Sequence, residues 1–140
     1  PSEVEQYMKE TGVAGMMALT LAYNLDGENL PAPSRKALNL NNYRGRQVIF
    51  TSTHDTVTLL TWLKSLPGKI KNKFLQINDF SPDLTDEKLA QKIIERLSNN
   101  KAALIIIPWQ DWQGEEFRFN VPGREDLANW QKQISIKKYL

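Results

Sequence analysis

The only histidine of the chain, His54, stands next to an aspartate, Asp55, directly after the apolar run Gln47 to Thr51. A carboxylate at the end of a strand can hydrogen-bond a substrate hydroxyl or take part in acid–base chemistry, and an imidazole beside it can supply a second donor. A metal site needs three or four ligands, so one histidine and one aspartate do not make one. The chain has no cysteine, no Gly-x-Ser-x-Gly elbow and no glycine-rich phosphate loop. The pair on its own therefore indicates neither a metal site nor a phosphate-binding site.

Both residues also have a structural interpretation. An aspartate between a strand and a helix is a good N-cap, and spacing alone favours that role for Asp55. A single histidine at a strand end, such as His54, is more often a hydrogen-bonded structural residue than a ligand. Spacing leaves both interpretations open.

A second group of candidates follows the third apolar run of the sequence. Trp109, Trp112 and Phe117 could stack on sugar rings or could cover the end of the fold. Arg118 and Asn120 alternate, so they point to one side if that segment is extended, where they suit polar substrate contacts or loop bracing. From the residues alone, we predict a sugar or polar small-molecule site at the carboxyl end of a parallel sheet.

The elements that position these residues alternate between helix and strand patterns. Continuous apolar runs predict three buried strands, at 16–23, 47–51 and 102–107. Helical spacing predicts a first helix near the start, one that follows Asp55 and stops at Pro67, and one that Thr85 caps. Residues 69–80 are ambiguous, 24–46 form a long loop, and 109–140 form a loop with a last helical turn or two at 127–134. This order predicts an α/β fold with a parallel sheet.

Composition limits the classes of function. The 140 residues are 41% hydrophobic and 24% charged with a net charge of +2, which predicts one globular domain and argues against nucleic acid as a partner. The longest apolar stretch, Gly12 to Tyr23, is too short to span a bilayer. The lack of cysteine suits a reducing compartment, so we expect a cytoplasmic protein. The start at Pro1, without methionine, suggests a piece of a longer protein.

Three segments together resemble the 4-α-glucanotransferases (amylomaltase or disproportionating enzyme, glycoside hydrolase family 77). Residues 51–62 resemble the family's Tyr-Thr-Gly-Thr-His-Asp-Asn-Asp-Thr-x-x-Gly-Trp stretch. Gln110-Asp111, residues 118–123 and Asn129-Trp130 resemble its Gln-Asp … Arg-x-Asn-x-Pro-Gly … Asn-Trp ending, and Gly15-Met16 its Pro-Gly-Met entry to a barrel strand. Departures at Ser52, 56–57, Arg124 and 131–133 leave room for a diverged member.

The resemblance implies that residues 1–140 are the C-terminal part of a (β/α)8 TIM barrel, carrying about strands six to eight. The parent would transfer α-1,4-glucan segments between maltodextrins by a retaining double displacement, without metal or cofactor. Asp55 would be the carboxylate that stabilises the transition state, with His54, Arg118 and Asn120 as substrate-binding residues. The nucleophile and the acid/base would lie on earlier strands, so the isolated chain would be inactive.

Two other interpretations remain open. The chain could be a non-catalytic glucan-binding or structural module of related descent. It could also be an unrelated small α/β regulatory domain in which Asp55 is only a helix cap. A third of a barrel would expose two strand edges and one apolar face of each strand, so we expect the isolated chain to self-associate.

Overall fold

The computed structural model describes residues 2–23, 36–125 and 129–132. Its helices and strands, in chain order, are α1 (Ser2–Thr11), β1 (Gly15–Ala18), β2 (Gly45–Phe50), α2 (Leu59–Ser65), α3 (Gly68–Ile77), α4 (Asp86–Ser98), β3 (Ala102–Ile106) and α5 (Trp109–Trp112). Half of the predicted helical turn at 127–134 (residues 127, 128, 133 and 134) and residues 24–35 of the predicted loop lie outside the described residues. None of the helices in the described ranges is long and apolar enough to cross a bilayer.

The three strands form one parallel sheet in the order β1-β2-β3. Met17 pairs with Ile49, and Ile49 pairs with Ile105, so these side chains form one row across the sheet. Sequential parallel neighbours require a crossover after each strand, and α2 to α4 lie between β2 and β3 along the chain. The prediction of an α/β fold with a parallel sheet is confirmed.

The hydrophobic core lies on one face of this sheet. Ile49 is fully buried there, with Met17 and Ile105 packed partly buried beside it. The helices contribute the largest buried side chains, including Trp62 and Phe74, whose rings meet edge to face at 5.7 Å. This face therefore holds the sheet against α2, α3 and α4.

The opposite face of the sheet is open among the described residues. Met16 and Leu104, both paired with Val48, are 65% and 52% exposed, and Ile106 is also exposed. The prediction of fully buried strands is therefore wrong for the described chain, whereas one exposed apolar face agrees with the expectation for a third of a barrel. The reason is that strand side chains alternate between faces and the helices cover only one face.

The first strand is shorter than its apolar run predicts. It ends at Ala18, and a turn of 3₁₀ helix at Leu19–Leu21 follows. Leu19 and Ala22, three residues apart, are both fully buried, so a helical turn keeps both in the core. The Thr20 N–H donates to the carbonyl of Thr51 at 3.2 Å, which attaches this turn to the end of β2.

The helix predicted to follow Thr85 is present as α4, with the predicted cap. Thr85 caps α4, its hydroxyl accepting from the Lys88 N–H at 3.4 Å. The apolar stripe of α4 is buried as predicted: Leu89, Ile93, Ile94 and Leu97. The ambiguous segment after Pro67 forms α3, and the predicted loop after β3 instead begins with the short helix α5.

Candidate functional site

The histidine–aspartate pair lies beyond the carboxyl end of the central strand, on residues 51–58, here called the site loop. Thr51 and Ser52 begin the loop and are fully buried. The side chains of His54 and Asp55 are 58% and 44% exposed, and His54 Nε2 lies 3.2 Å from Asp55 Oδ2. The site loop therefore holds the pair at the surface while its base is buried.

Hydrogen bonds among threonines set the shape of the site loop. The Thr53 N–H donates to Thr56 Oγ1 at 2.9 Å, and the Thr56 N–H donates back to the Thr53 carbonyl at 3.2 Å. The Thr20 hydroxyl also donates to Thr56 Oγ1 at 2.9 Å, so the turn is attached to the segment after β1. This turn places His54 and Asp55 at its tip.

Asp55 is not the cap of the following helix. Helix α2 begins at Leu59 with Thr58 in the N-cap position, and its Leu59 N–H donates to Asp111 Oδ1 at 2.7 Å. Asp55 lies inside the turn at 53–56, three residues before Thr58, and its carboxylate contacts Asn120 and His54 and not the first turn of α2. The cap interpretation of Asp55 is therefore wrong, and a residue from the segment after β3 takes that role.

The segment after β3 brings Arg118 and Asn120 onto the site loop together. Asn120 Nδ2 donates to Asp55 Oδ1 at 2.5 Å, and its backbone N–H donates to the carbonyl of His54 at 3.2 Å. The Arg118 guanidinium donates to the carbonyl of Asp55 and, through Nε, to that of Asn120 at 2.8 Å. Asn120 thus orients the carboxylate, whereas these Arg118 bonds brace the backbone around it.

Asp111 is a buried carboxylate beneath the site loop. It is 2% exposed and accepts hydrogen bonds from the hydroxyls of Thr51 at 2.5 Å and Ser52 at 2.6 Å, as well as from Leu59. Burial raises the pKa of Asp111 above its usual range, although these three donors act in the opposite direction. Sequence reasoning noted Asp111 only as part of a motif, because its partners are more than fifty residues away.

The pair opens onto a cleft of about 840 Å³. Apolar side chains from the open face of the sheet, Met16, Phe50 and Ile106, continue into it, and His54 and Asp55 line it at the strand ends. A cleft with an apolar wall and a few polar groups at one end is the usual form of a small-molecule site.

The aromatic side chains of this cleft are not the predicted ones. Trp130 and Phe119 line it, and the Trp130 ring lies 5.3 Å from that of His54 and 6.4 Å from that of Phe119. Trp112 instead lines a separate cavity of about 420 Å³ with residues of α4. Helix α5 explains the difference, because it turns Trp109 and Trp112 outward while Asp111 points inward.

Phe117 supports the cleft from behind. Its ring packs edge to face on Phe119 at 4.7 Å, and its carbonyl accepts from the Thr58 N–H at 3.2 Å. Chemically, the assembled site offers one exposed carboxylate, an imidazole and aromatic surface. Among the described ranges, no group of three His, Asp or Glu side chains could hold a metal ion.

Comparison with known proteins gives one consistent result. A sequence model of the family described as 4-alpha-glucanotransferase, glycoside hydrolase family 77, matches residues 1–137. The chain is 30% identical to the chloroplastic/amyloplastic 4-alpha-glucanotransferase of Solanum tuberosum over 134 residues, covering 94% of this chain and 21% of that protein. It is 31% identical to the 4-alpha-glucanotransferase of Thermus thermophilus, covering 91% of this chain and 25% of that one.

A solved structure has the same fold. The amylomaltase from Streptococcus agalactiae in complex with acarbose superposes with a TM-score of 0.72 at 19% identity, covering 99% of this chain and 26% of that one. The chain therefore spans between a fifth and about a quarter of the length of these three proteins.

Proposed function

The chain belongs to the 4-alpha-glucanotransferase family, glycoside hydrolase family 77, and on that premise we propose that it forms the C-terminal sector of a (β/α)8 catalytic barrel. In this proposal β1, β2 and β3 are strands six to eight, and residues 1–140 belong to one catalytic domain. The parallel order β1-β2-β3 supports this, since neighbouring strands of such barrels follow one another along the chain. The open apolar face supports it too, because a barrel interior is filled by side chains from all its strands.

The reaction proposed for the complete protein is the transfer of α-1,4-glucan segments between maltodextrins by a retaining double displacement. One observation carries the proposal: the half-exposed carboxylate of Asp55, oriented by Asn120, lines a large cleft at the carboxyl end of the central strand. In (β/α)8 enzymes the active site is formed at that end of the strands.

In this mechanism Asp55 accepts hydrogen bonds from hydroxyls of the sugar whose glycosidic bond is cleaved. Those bonds strengthen as the ring flattens towards an oxocarbenium-like transition state, so they lower the barrier more than they strengthen ground-state binding. His54 donates in the same subsite, 3.2 Å from Asp55 Oδ2. We propose that Asn120 and Arg118 keep the carboxylate and the backbone of the site loop in place for this contact.

Retaining transfer also needs a nucleophile and an acid/base, two carboxyl groups about 5 Å apart. Asp55 is the one carboxylate that the described residues contribute to the cleft. We therefore propose that both other groups come from earlier barrel strands and that residues 1–140 alone do not catalyse transfer. The same observation favours a second candidate function, a non-catalytic module that binds glucan in this cleft.

We propose α-1,4-glucans as the partners of the complete protein and the cytoplasm as its location. The apolar and aromatic wall of the cleft suits the C–H faces of pyranose rings, and the polar groups at its rim suit their hydroxyls. The absence of cysteine from the sequence supports the proposed location, because it suits a reducing compartment.

The test is to incubate the complete protein with maltotriose and separate the products by chromatography. The transferase proposal predicts glucose together with maltodextrins longer than maltotriose, without added metal. Saturable maltodextrin binding with no product would instead support the binding module. Neither binding nor product would contradict both.

A further inference from the structure

Asp111 connects three elements that meet beneath the site loop. The side chain extends from α5, its Oδ2 accepts from the hydroxyls of Thr51 and Ser52, and its Oδ1 accepts from the Leu59 N–H. Thr51 and Ser52 start the site loop, and Leu59 directly follows it. One buried carboxylate therefore holds both ends of the segment that carries the histidine–aspartate pair.

We propose that Asp111 is a positioning residue for glucan transfer: it fixes the position and orientation of the site loop, and so of the Asp55 carboxylate relative to the sugar. This inference rests on the proposed function, because it assumes that Asp55 acts on the substrate. It assigns Asp111 no contact with substrate, since 98% of its surface is covered by protein.

Few residues separate Asp55 from the positions that Asp111 holds, so Asp111 can control where the carboxylate lies. Asp55 lies three residues after Ser52 and four residues before Leu59, so a shift at either end is transmitted to its carboxylate. The Asn120 side chain also donates to that carboxylate, so a shift of the loop disturbs this hydrogen bond as well. A misplacement of about 1 Å in a catalytic group can cost about a hundredfold in rate.

The chemistry of Asp111 also differs from that of a group that only stabilises the core. Burying a carboxylate is costly, and within the described residues its partners are two hydroxyls and one amide, without a cation. Burial raises its pKa, so the protein bears a cost at this position. Such costs are concentrated where a site requires a defined geometry.

The experiment compares Asp111→Ala and Asp111→Asn in the complete protein, assayed with maltotriose below the melting temperature of each variant. Removal of all three bonds by Asp111→Ala should lower kcat at least about tenfold with KM changed less than about twofold, because geometry and not binding is lost. Asp111→Asn should recover most of kcat. Its amide oxygen can accept from Leu59 while its amide nitrogen donates to a hydroxyl.

A matched control separates positioning from stability. Asn78 is also fully buried in the core. Its side chain accepts a hydrogen bond from the Leu40 N–H and donates to the carbonyls of Leu38 and Phe74. Asn78→Ala should lower the melting temperature while kcat stays within about twofold of the wild type. Equal kcat in Asp111→Ala and Asn78→Ala would overturn the proposal.

Two further measurements keep the inference testable. If Asp111→Ala does not fold, the double variant Thr51→Val with Ser52→Ala cuts the bonds to the loop and leaves the bond to Leu59. The proposal requires the same drop in kcat in this double variant, and an unchanged kcat would refute it.

If the complete protein shows no glucan transfer, amide hydrogen exchange tests whether Asp111 positions the site loop. The Asn120 N–H, which donates to the His54 carbonyl, should keep its protection from exchange in Asp111→Asn and lose it in the double variant. Equal protection in the wild type, Asp111→Asn and the double variant would refute the positioning role.

Discussion

The side chain of Asn120 donates to the carboxylate of Asp55 at 2.5 Å, although sixty-five residues separate them in the chain. The backbone of Asn120 also donates to the carbonyl of His54. The segment after the third strand therefore helps to build the site at the end of the second, as expected where loops of parallel strands share one face.

The Asn120 bond leads to a first prediction. Asn120→Ala removes the donor that orients the carboxylate and should lower kcat about tenfold or more, since a hydrogen bond to a charged group contributes about 1.5–3 kcal/mol. Asn99→Ala is the matched control, because Asn99 Nδ2 donates to the Glu95 carbonyl at the end of α4, outside the cleft. Steady-state kinetics with maltotriose measures both, and equal rates would exclude Asn120 from the site.

Arg118 gives a prediction that separates bracing from substrate contact. Its guanidinium donates one hydrogen bond to the carbonyl of Asp55 and another to that of Asn120. The ammonium of lysine lacks the planar pair of donors that reaches both carbonyls. Arg118→Lys should therefore lower kcat with little change in KM, and speed amide exchange at Asn120. A rise in KM with kcat unchanged would show instead that Arg118 binds glucan directly.

Tryptophan fluorescence can show which aromatic side chains meet the ligand. Trp130 lines the cleft beside His54, so maltotriose binding should change its emission, and Trp130→Phe should remove most of that change. Trp112→Phe is the control, because Trp112 lines the separate cavity against α4. A signal lost in Trp112→Phe and kept in Trp130→Phe would place the ligand elsewhere.

The raised pKa of Asp111 predicts how stability depends on pH. The folded state holds this proton more tightly than the unfolded state, so the contribution is fully present below the unfolded pKa and is lost as pH rises through the folded one. The melting temperature of the wild type, relative to that of Asp111→Asn, should thus rise as pH is lowered from about 8 to about 4. A relative melting temperature that falls on acidification would contradict the burial argument.

The open sheet face predicts the behaviour of residues 1–140 on their own. With Met16, Leu104 and Ile106 exposed and both sheet edges unpaired among the described residues, we expect the isolated chain to self-associate. Sedimentation over a range of concentrations measures this, and Leu104→Gln with Met16→Gln should weaken it. A dilute, monodisperse monomer with a cooperative melt would show that residues 1–140 are stable without another chain against the open sheet face.

The sequence predicted those features that depend on nearby residues. The stripe of α4 and its cap at Thr85 lie within one helix, so periodicity was sufficient. The continuous apolar run from Met16 shows neither strand nor helix periodicity, so the sequence could not predict where the strand ends and the 3₁₀ turn begins. Spacing also made Asp55 look like a cap, because the cap that α2 uses, Asp111, comes from a distant helix that the sequence did not predict.

The proposed reaction depends on the carboxylate of Asp55 acting on the sugar in the cleft. Its most direct test is the turnover of maltotriose by Asp55→Asn in the complete protein, beside Asp83→Asn, an exposed aspartate in the turn before α4. With both variants folded, Asp55→Asn should lose at least about a hundredfold in kcat, the scale of a lost transition-state contact, and Asp83→Asn should lose none. Glucose release by Asp55→Asn at the wild-type rate would contradict it.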